Sequence, residues 1–123
     1  MLPRIVMRFG VALLLLSLLS IVATAQAVRT SPSEIRGNTD RFDGQAVTIS
    51  GTVTNLQEQV SRAGRPYYTF DLSDGTEAVR AFSFGKAPCR SGGATVDGTF
   101  AKVKQQGQYT FSNEVTATRV RCR

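Results

Sequence analysis

The sequence predicts an all-β domain, a small barrel of five short strands preceded by one short helix. Three observations carry this. From Ala46 onward apolar residues recur at every second position, the period of a strand with one buried face. The apolar runs are punctuated by turn sequences, "SRAGRP", "SDGT" and "QQGQ", each bearing a glycine. The chain is 123 residues long, and the part that follows the leader read below is enough for one small domain.

The first 25 to 27 residues stand outside that domain. "MLPRIVMR" carries Arg4 and Arg8 with no acid, residues 11–22 are an apolar run, and "ATAQA" supplies small residues for a peptidase. Residues 1–25 therefore read as a signal peptide, with cleavage after Ala25 or Ala27. A retained anchor is the alternative, but a membrane span needs about 20 apolar residues, and polar residues begin near Thr24. The mature protein is expected to be secreted or periplasmic, meeting a membrane only through the signal peptide before cleavage. Residues 28–45 form a lead-in and short helix, and residues 46–123 the barrel.

The helix is read from "SPSEIRGNTDRFDG". Ser31 suits an N-cap, Pro32 the first helical position and Glu34 a capping box, while Gly37 and Asn38 keep the helix brief. Ile35 is its only strong apolar anchor, with Phe42 following.

The first strand is "AVTISGTVTNL", running on toward Val60. Val47, Ile49, Gly51 and Val53 face one way, Thr48, Ser50, Thr52 and Thr54 the other, and Gly51 invites a bulge or sharp coil. In the second, "YYTFDL", Tyr68, Phe70 and Leu72 share a face opposite Tyr67, Thr69 and Asp71. The third is "VRAFSFG". There Val79, Ala81 and Ser83 oppose a row of Arg80, Phe82 and Phe84. Two registers are open: the small residues point inward and leave the row outside, or a bulge turns the phenylalanines into the core. "GKAPCRSGG" is an irregular link, "ATVDGTFAKVK" the fourth strand, and "YTFSNEVTATRVRC" the fifth.

Cys89 and Cys122 both survive removal of the leader. An even count in an oxidising compartment predicts one disulfide between them, worth about 3–4 kcal/mol in the chain-entropy picture. The chain has no histidine, and two cysteines alone make a poor metal site, so neither a metal nor any other cofactor is expected.

Thirteen Lys and Arg against nine acids leave the mature chain at +4, and ten of the thirteen are arginines, which suit planar anions. Acid–base catalysis most often uses histidine, and the acids are scattered, with Asp74 before Gly75 reading as a turn residue. A binding module is expected, and no enzyme.

The ordered set "VTISGTVT", "GRPYYTFDLSDGT", "VRAFSFG" and "ATVDGTFAKV" resembles the oligonucleotide/oligosaccharide-binding (OB) fold of nucleic-acid-binding type, across most of residues 46–121. That resemblance implies a five-stranded Greek-key barrel. The third strand is similar to that of the single-strand-binding domains of replication protein A, where an arginine and an aromatic point outward. The match implies Arg80 and Phe84 as ligand contacts, with Phe82 on the same face. The link "GKAPCRSGG" departs from the pattern, lacking the helix many members carry there. Haem-carrying periplasmic members depend on a histidine, which excludes that role.

The implied ligand face holds Tyr67, Thr69, Arg80, Phe82 and Phe84, with Arg62 and Arg65 in the first loop and Lys102 and Lys104 leading into the last. Aromatics that stack bases beside cations that hold phosphates suit single-stranded nucleic acid or a similar anionic polymer. The alternative is a protein- or glycan-interaction module of the bacterial envelope.

Overall fold

The alternating segments form strands in the computed structural model, which describes residues 26–123. The signal-peptide reading of residues 1–25 lies outside them. In chain order the elements are β1 (Val28–Thr30), α1 (Pro32–Gly37), α2 (Thr39–Phe42), β2 (Ala46–Val60), β3 (Pro66–Ser73), β4 (Ala78–Phe84), β5 (Gly92–Gln106) and β6 (Tyr109–Cys122). Among these residues no helix is long and apolar enough to cross a membrane.

The strands make one mixed sheet in the order β1-β2-β3-β4-β6-β5. β2 is long enough to pair with β3 through its second half and with β5 through its first. The β3–β4, β4–β6 and β5–β6 ladders then lead back to β2. The β4–β6 ladder is parallel and short, with Arg80 opposite Glu114 and Phe82 opposite Thr116.

The described residues form six strands in place of the expected five. The extra one, β1, pairs parallel with the start of β2, Val28 against Val47 and Thr30 against Ile49. Its three residues are too few to show alternation, and backbone pairing rather than side-chain pattern makes it a strand.

The core follows the expected inward faces. Val47, Ile49 and Val53 of β2, Tyr68, Phe70 and Leu72 of β3, and Val79 and Ala81 of β4 are buried in one cluster. Ala94, Val96 and Phe100 of β5 and Val115 and Ala117 of β6 join it, with Ala87 and Cys89 of the link after β4. The polar side of β2 also behaves as expected, Thr48 donating to Asp97 Oδ1 at 2.7 Å and Ser50 meeting Thr95 at 3.0 Å across the β2–β5 pair.

Gly51 does not form a bulge. A Cβ there would lie 2.6 Å from the Ser73 carbonyl oxygen, so glycine is needed because β3 passes too close for a side chain. The register shift instead falls between Thr54 and Gln57, where Asn55 adopts φ +53. Asn55 tolerates that left-handed conformation, and its side-chain amide donates to Asp71 Oδ2 at 2.8 Å across the break.

The helical region is two short pieces that cover part of the core with Ile35 and Phe42, 0% and 2% exposed. Burying each is worth about 1.5–3 kcal/mol. Ser31 caps α1 through its hydroxyl, which accepts from Glu34 N at 3.1 Å. The reciprocal half of the capping box is replaced, since the Glu34 carboxylate accepts from Thr30 Oγ1 at 3.1 Å. Asp74, in the β3–β4 turn, takes the next free donor, Ser33 N, at 2.9 Å and so docks α1 on that turn.

Cys89 and Cys122 are joined by a disulfide, with Cα atoms 5.7 Å apart. It ties the irregular link after β4 to the last residue of β6. A second tie runs from Arg90 in the link to Glu58 of β2, at 2.7 Å.

Candidate functional site

The register of β4 decides which side chains reach solvent. Val79 and Ala81 are each 2% exposed and belong to the core cluster, while Arg80 is half-buried and Phe84 is 41% exposed on the opposite face. The unshifted register therefore holds, with no bulge in the β3–β4 pairing that runs from Tyr67 opposite Phe84 to Ser73 opposite Ala78.

Phe82 is the instructive residue. It points to the outer face with Arg80 and Phe84, yet is only 7% exposed and lies outside the main core cluster. Its cover comes from the outer side. The Tyr67 ring sits 5.5 Å away, the Phe84 ring meets it edge-on at 5.1 Å, and Lys104 Nζ stands 4.3 Å from its centroid. A small second apolar layer has thus been built on top of the sheet.

Cations and rings alternate along this layer. The Arg65 guanidinium lies 3.5 Å over Phe84, Arg80 lies 4.8 Å over Phe111, and Lys104 lies over Phe82. Each such contact contributes about 0.5–1 kcal/mol at an exposed site and pre-orients a donor-rich cation. Arg65 approaches from the β2–β3 loop, which is closed by Ser61 N donating to the Arg65 carbonyl at 2.9 Å.

Glu114 lies beneath the cations, 1% exposed. Its Oε2 accepts from Arg80 Nε at 2.9 Å and its Oε1 from Lys104 Nζ at 2.8 Å. One buried carboxylate shared by two cations leaves the trio at net +1. It also fixes both cations, because a buried carboxylate is costly unless paired.

Two grooves open on this face. One, of about 510 Å³, lies between the β2–β3 and β5–β6 hairpins, lined by Val60, Arg62, Phe82, Phe84, Tyr109 and Phe111 among others. Val60, Phe84 and Tyr109 are three of the five large apolar residues that the described chain leaves exposed, so the exposed apolar surface is concentrated here. The other, of about 360 Å³, is polar and lined by Asn55, Gln57, Gln59, Thr69 and Asp71. Tyr67 and Arg80 wall both.

Of the residues expected at the site, Tyr67, Thr69, Arg80, Phe82, Phe84, Arg62, Arg65 and Lys104 come together on this face. Lys102 does not. Its Nζ reaches Asp40 of α2 at 2.7 Å and its backbone N–H donates to Asp43 at 2.8 Å. The Asp40 carboxylate raises the Lys102 pKa, by hydrogen bond first and by charge second. Tyr109, Phe111, Glu114 and the amides at Asn55, Gln57 and Gln59 also reach this face, beyond the residues expected from the sequence. The signal for Tyr109 and Phe111 was present, since both start the last strand beside the "QQGQ" turn. Glu114 has no local signal, because its partners lie in β4 and β5.

No family sequence model matches the chain, and no curated protein sequence matches it. Among solved structures it is similar to a crystal structure described as an aspartyl-tRNA synthetase from Leishmania major Friedlin, with a TM-score of 0.58 and 14% sequence identity. The match covers 90% of this chain and 25% of that one, so the chain spans about a quarter of its structural neighbour. At that identity the likeness concerns the fold.

Proposed function

We propose that this chain is an exported OB-fold module that binds single-stranded nucleic acid, or a similarly anionic polymer, through the outer face of β3 and β4. The observation that carries the reading is the alternation of Arg65, Arg80 and Lys104 with the rings of Phe84, Phe111 and Phe82. Bases stack on the rings left open, Phe84 and Tyr109, for about 1–3 kcal/mol each while cations hold the backbone. The circuit of strand pairings, with a long first strand shared by two partners, supports a closed OB-type barrel. A fold shared with a protein named for tRNA supports the ligand class by analogy alone. The disulfide is consistent with a non-cytoplasmic location, and secretion or periplasmic residence rests on the leader. No catalytic step or cofactor is assigned to the site.

A second reading, a protein- or glycan-binding module of the envelope, draws on one observation: Arg80 and Lys104 already share Glu114, which reduces the charge open to phosphate. Salt separates the two. Fluorescence anisotropy of a labelled short oligonucleotide at about 50 and 200 mM salt is expected to show a roughly 10- to 20-fold loss of affinity, as for about three neutralised phosphates. Salt-independent binding of a neutral oligosaccharide, with no oligonucleotide binding, would establish the second reading.

A further inference from the structure

We infer that the polar groove at the Asp71 end of the face selects bases that carry an exocyclic amino group, cytosine over thymine being the simplest case. The inference rests on the nucleic-acid reading above and goes further by naming the base chemistry.

The groove is an ordered set of donors and acceptors. Tyr67 donates its hydroxyl proton to Gln59 Oε1, and Gln59 Nε2 in turn donates to Gln57 Oε1 at 3.2 Å. With the amides in that direction, Gln57 Nε2 is left as a donor. On the neighbouring turn of the chain, Asn55 Nδ2 donates to Asp71 Oδ2 at 2.8 Å. This bond uses the nitrogen of Asn55 and one oxygen of Asp71. Asn55 Oδ1 and Asp71 Oδ1 remain as acceptors with no partner among the described residues.

Two acceptors beside one amide donor make a selective edge. A carboxylate only accepts, and in a groove for a polyanion it weakens binding unless a ligand donor meets it. Cytosine offers such a donor at its 4-amino group, next to an acceptor at N3 that suits an amide N–H. Thymine and uracil have a carbonyl oxygen in place of that amino group, and it would face the acceptors. Carboxylates accept from the cytosine amino group in base readout generally, and unpaired bases are read along this edge when splayed onto aromatics. Tyr67, on the wall shared with the aromatic groove, supplies the ring for that base. Arg80 also lines this groove, with its Nε held by Glu114.

The test compares oligo-dC with oligo-dT of equal length on the mature chain at one salt concentration. Both are pyrimidines, so ring size does not differ. Wild type is expected to bind dC at least about fivefold more tightly. Asp71→Asn and Gln57→Ala are expected to bring the ratio close to one while dT binding holds or tightens and its salt slope is unchanged. Should Asp71→Asn fail to fold, the exposed Gln57→Ala carries the same comparison. Equal affinities in wild type, or a dC preference that survives both variants, would overturn this inference and leave the nucleic-acid interface standing. Absence of binding to either oligonucleotide would overturn both.

Discussion

Glu114 sits directly opposite Arg80 in the parallel β4–β6 ladder, and its buried carboxylate accepts from Arg80 Nε at 2.9 Å. With Lys104 on its other oxygen it orders the cationic half of the outer face from below. Glu114→Gln keeps the shape and removes the charge. It is expected to cost about 1–3 kcal/mol of stability, because two charge-assisted hydrogen bonds weaken while both cations keep access to solvent. It is also expected to strengthen oligonucleotide binding and steepen its salt dependence, since Arg80 and Lys104 are released to phosphate. A loss of both stability and affinity would show that Glu114 positions the cations more than it neutralises them.

Phe84 and Phe82 share a face and differ in cover. Phe84→Ala is expected to leave stability within about 1 kcal/mol, since the ring is 41% exposed. Phe82→Ala removes a ring held between Tyr67 and Phe84 and is expected to cost about 2–4 kcal/mol. Denaturant unfolding of the two variants checks this order. Both are expected to weaken oligonucleotide binding, by loss of a stacking ring in the first case and of its support in the second.

These two residues also show how far the sequence could be read. Alternation leaves two registers of β4 open, and the burial of Val79 and Ala81 decides for the Arg80 row outward, since a one-residue slip would exchange every side chain of the strand. That Phe82 would be buried on the outside was not legible, since its cover comes from β3 and β5. Glu114 and Arg80 meet only through strand register, and "SNEVT" looks like any polar strand edge. Lys102 and Lys104 have equivalent local sequence, yet Asp40 and Asp43 claim one and Glu114 the other. The irregularity expected at Gly51 fell at Asn55, because close strand approach and φ preference both call for small or flexible residues. Local pattern reveals a face, and long-range pairing decides what that face holds.

Asp74 ties the acid stability of the protein to one turn. Its carboxylate accepts from the backbone N–H groups of Glu77 at 2.9 Å, Ser33 at 2.9 Å and Thr76 at 3.0 Å. These bonds, that from Glu77 foremost, hold its carboxyl well below the usual aspartate range. A depressed folded value means the contribution is complete above the unfolded pKa, about 3.9, and fades as pH falls below it. Asp74→Asn is expected to lower the melting temperature at neutral pH and flatten its decline between about pH 5 and pH 2. Parallel acid limbs for the two proteins would contradict this.

The disulfide closes a loop of 33 residues between Cys89 and Cys122. Replacing both cysteines by serine is expected to cost about 3–4 kcal/mol in denaturant unfolding, by the entropy returned to the unfolded chain. Thiol titration of protein recovered from an oxidising compartment is expected to find no free thiol. Two reactive thiols would remove the constraint on the link after β4.

NMR titration of residues 26–123 with a short single-stranded oligonucleotide locates the ligand on the fold. Chemical-shift changes are expected to concentrate on Tyr67, Thr69, Arg80, Phe82 and Phe84, with Tyr109 and Phe111 following. Thr48 and Asp97, on the polar side of the β2–β5 pair, are expected to stay unperturbed. Changes confined instead to the C-terminal arginines Arg119, Arg121 and Arg123, with the aromatic face silent, would contradict it.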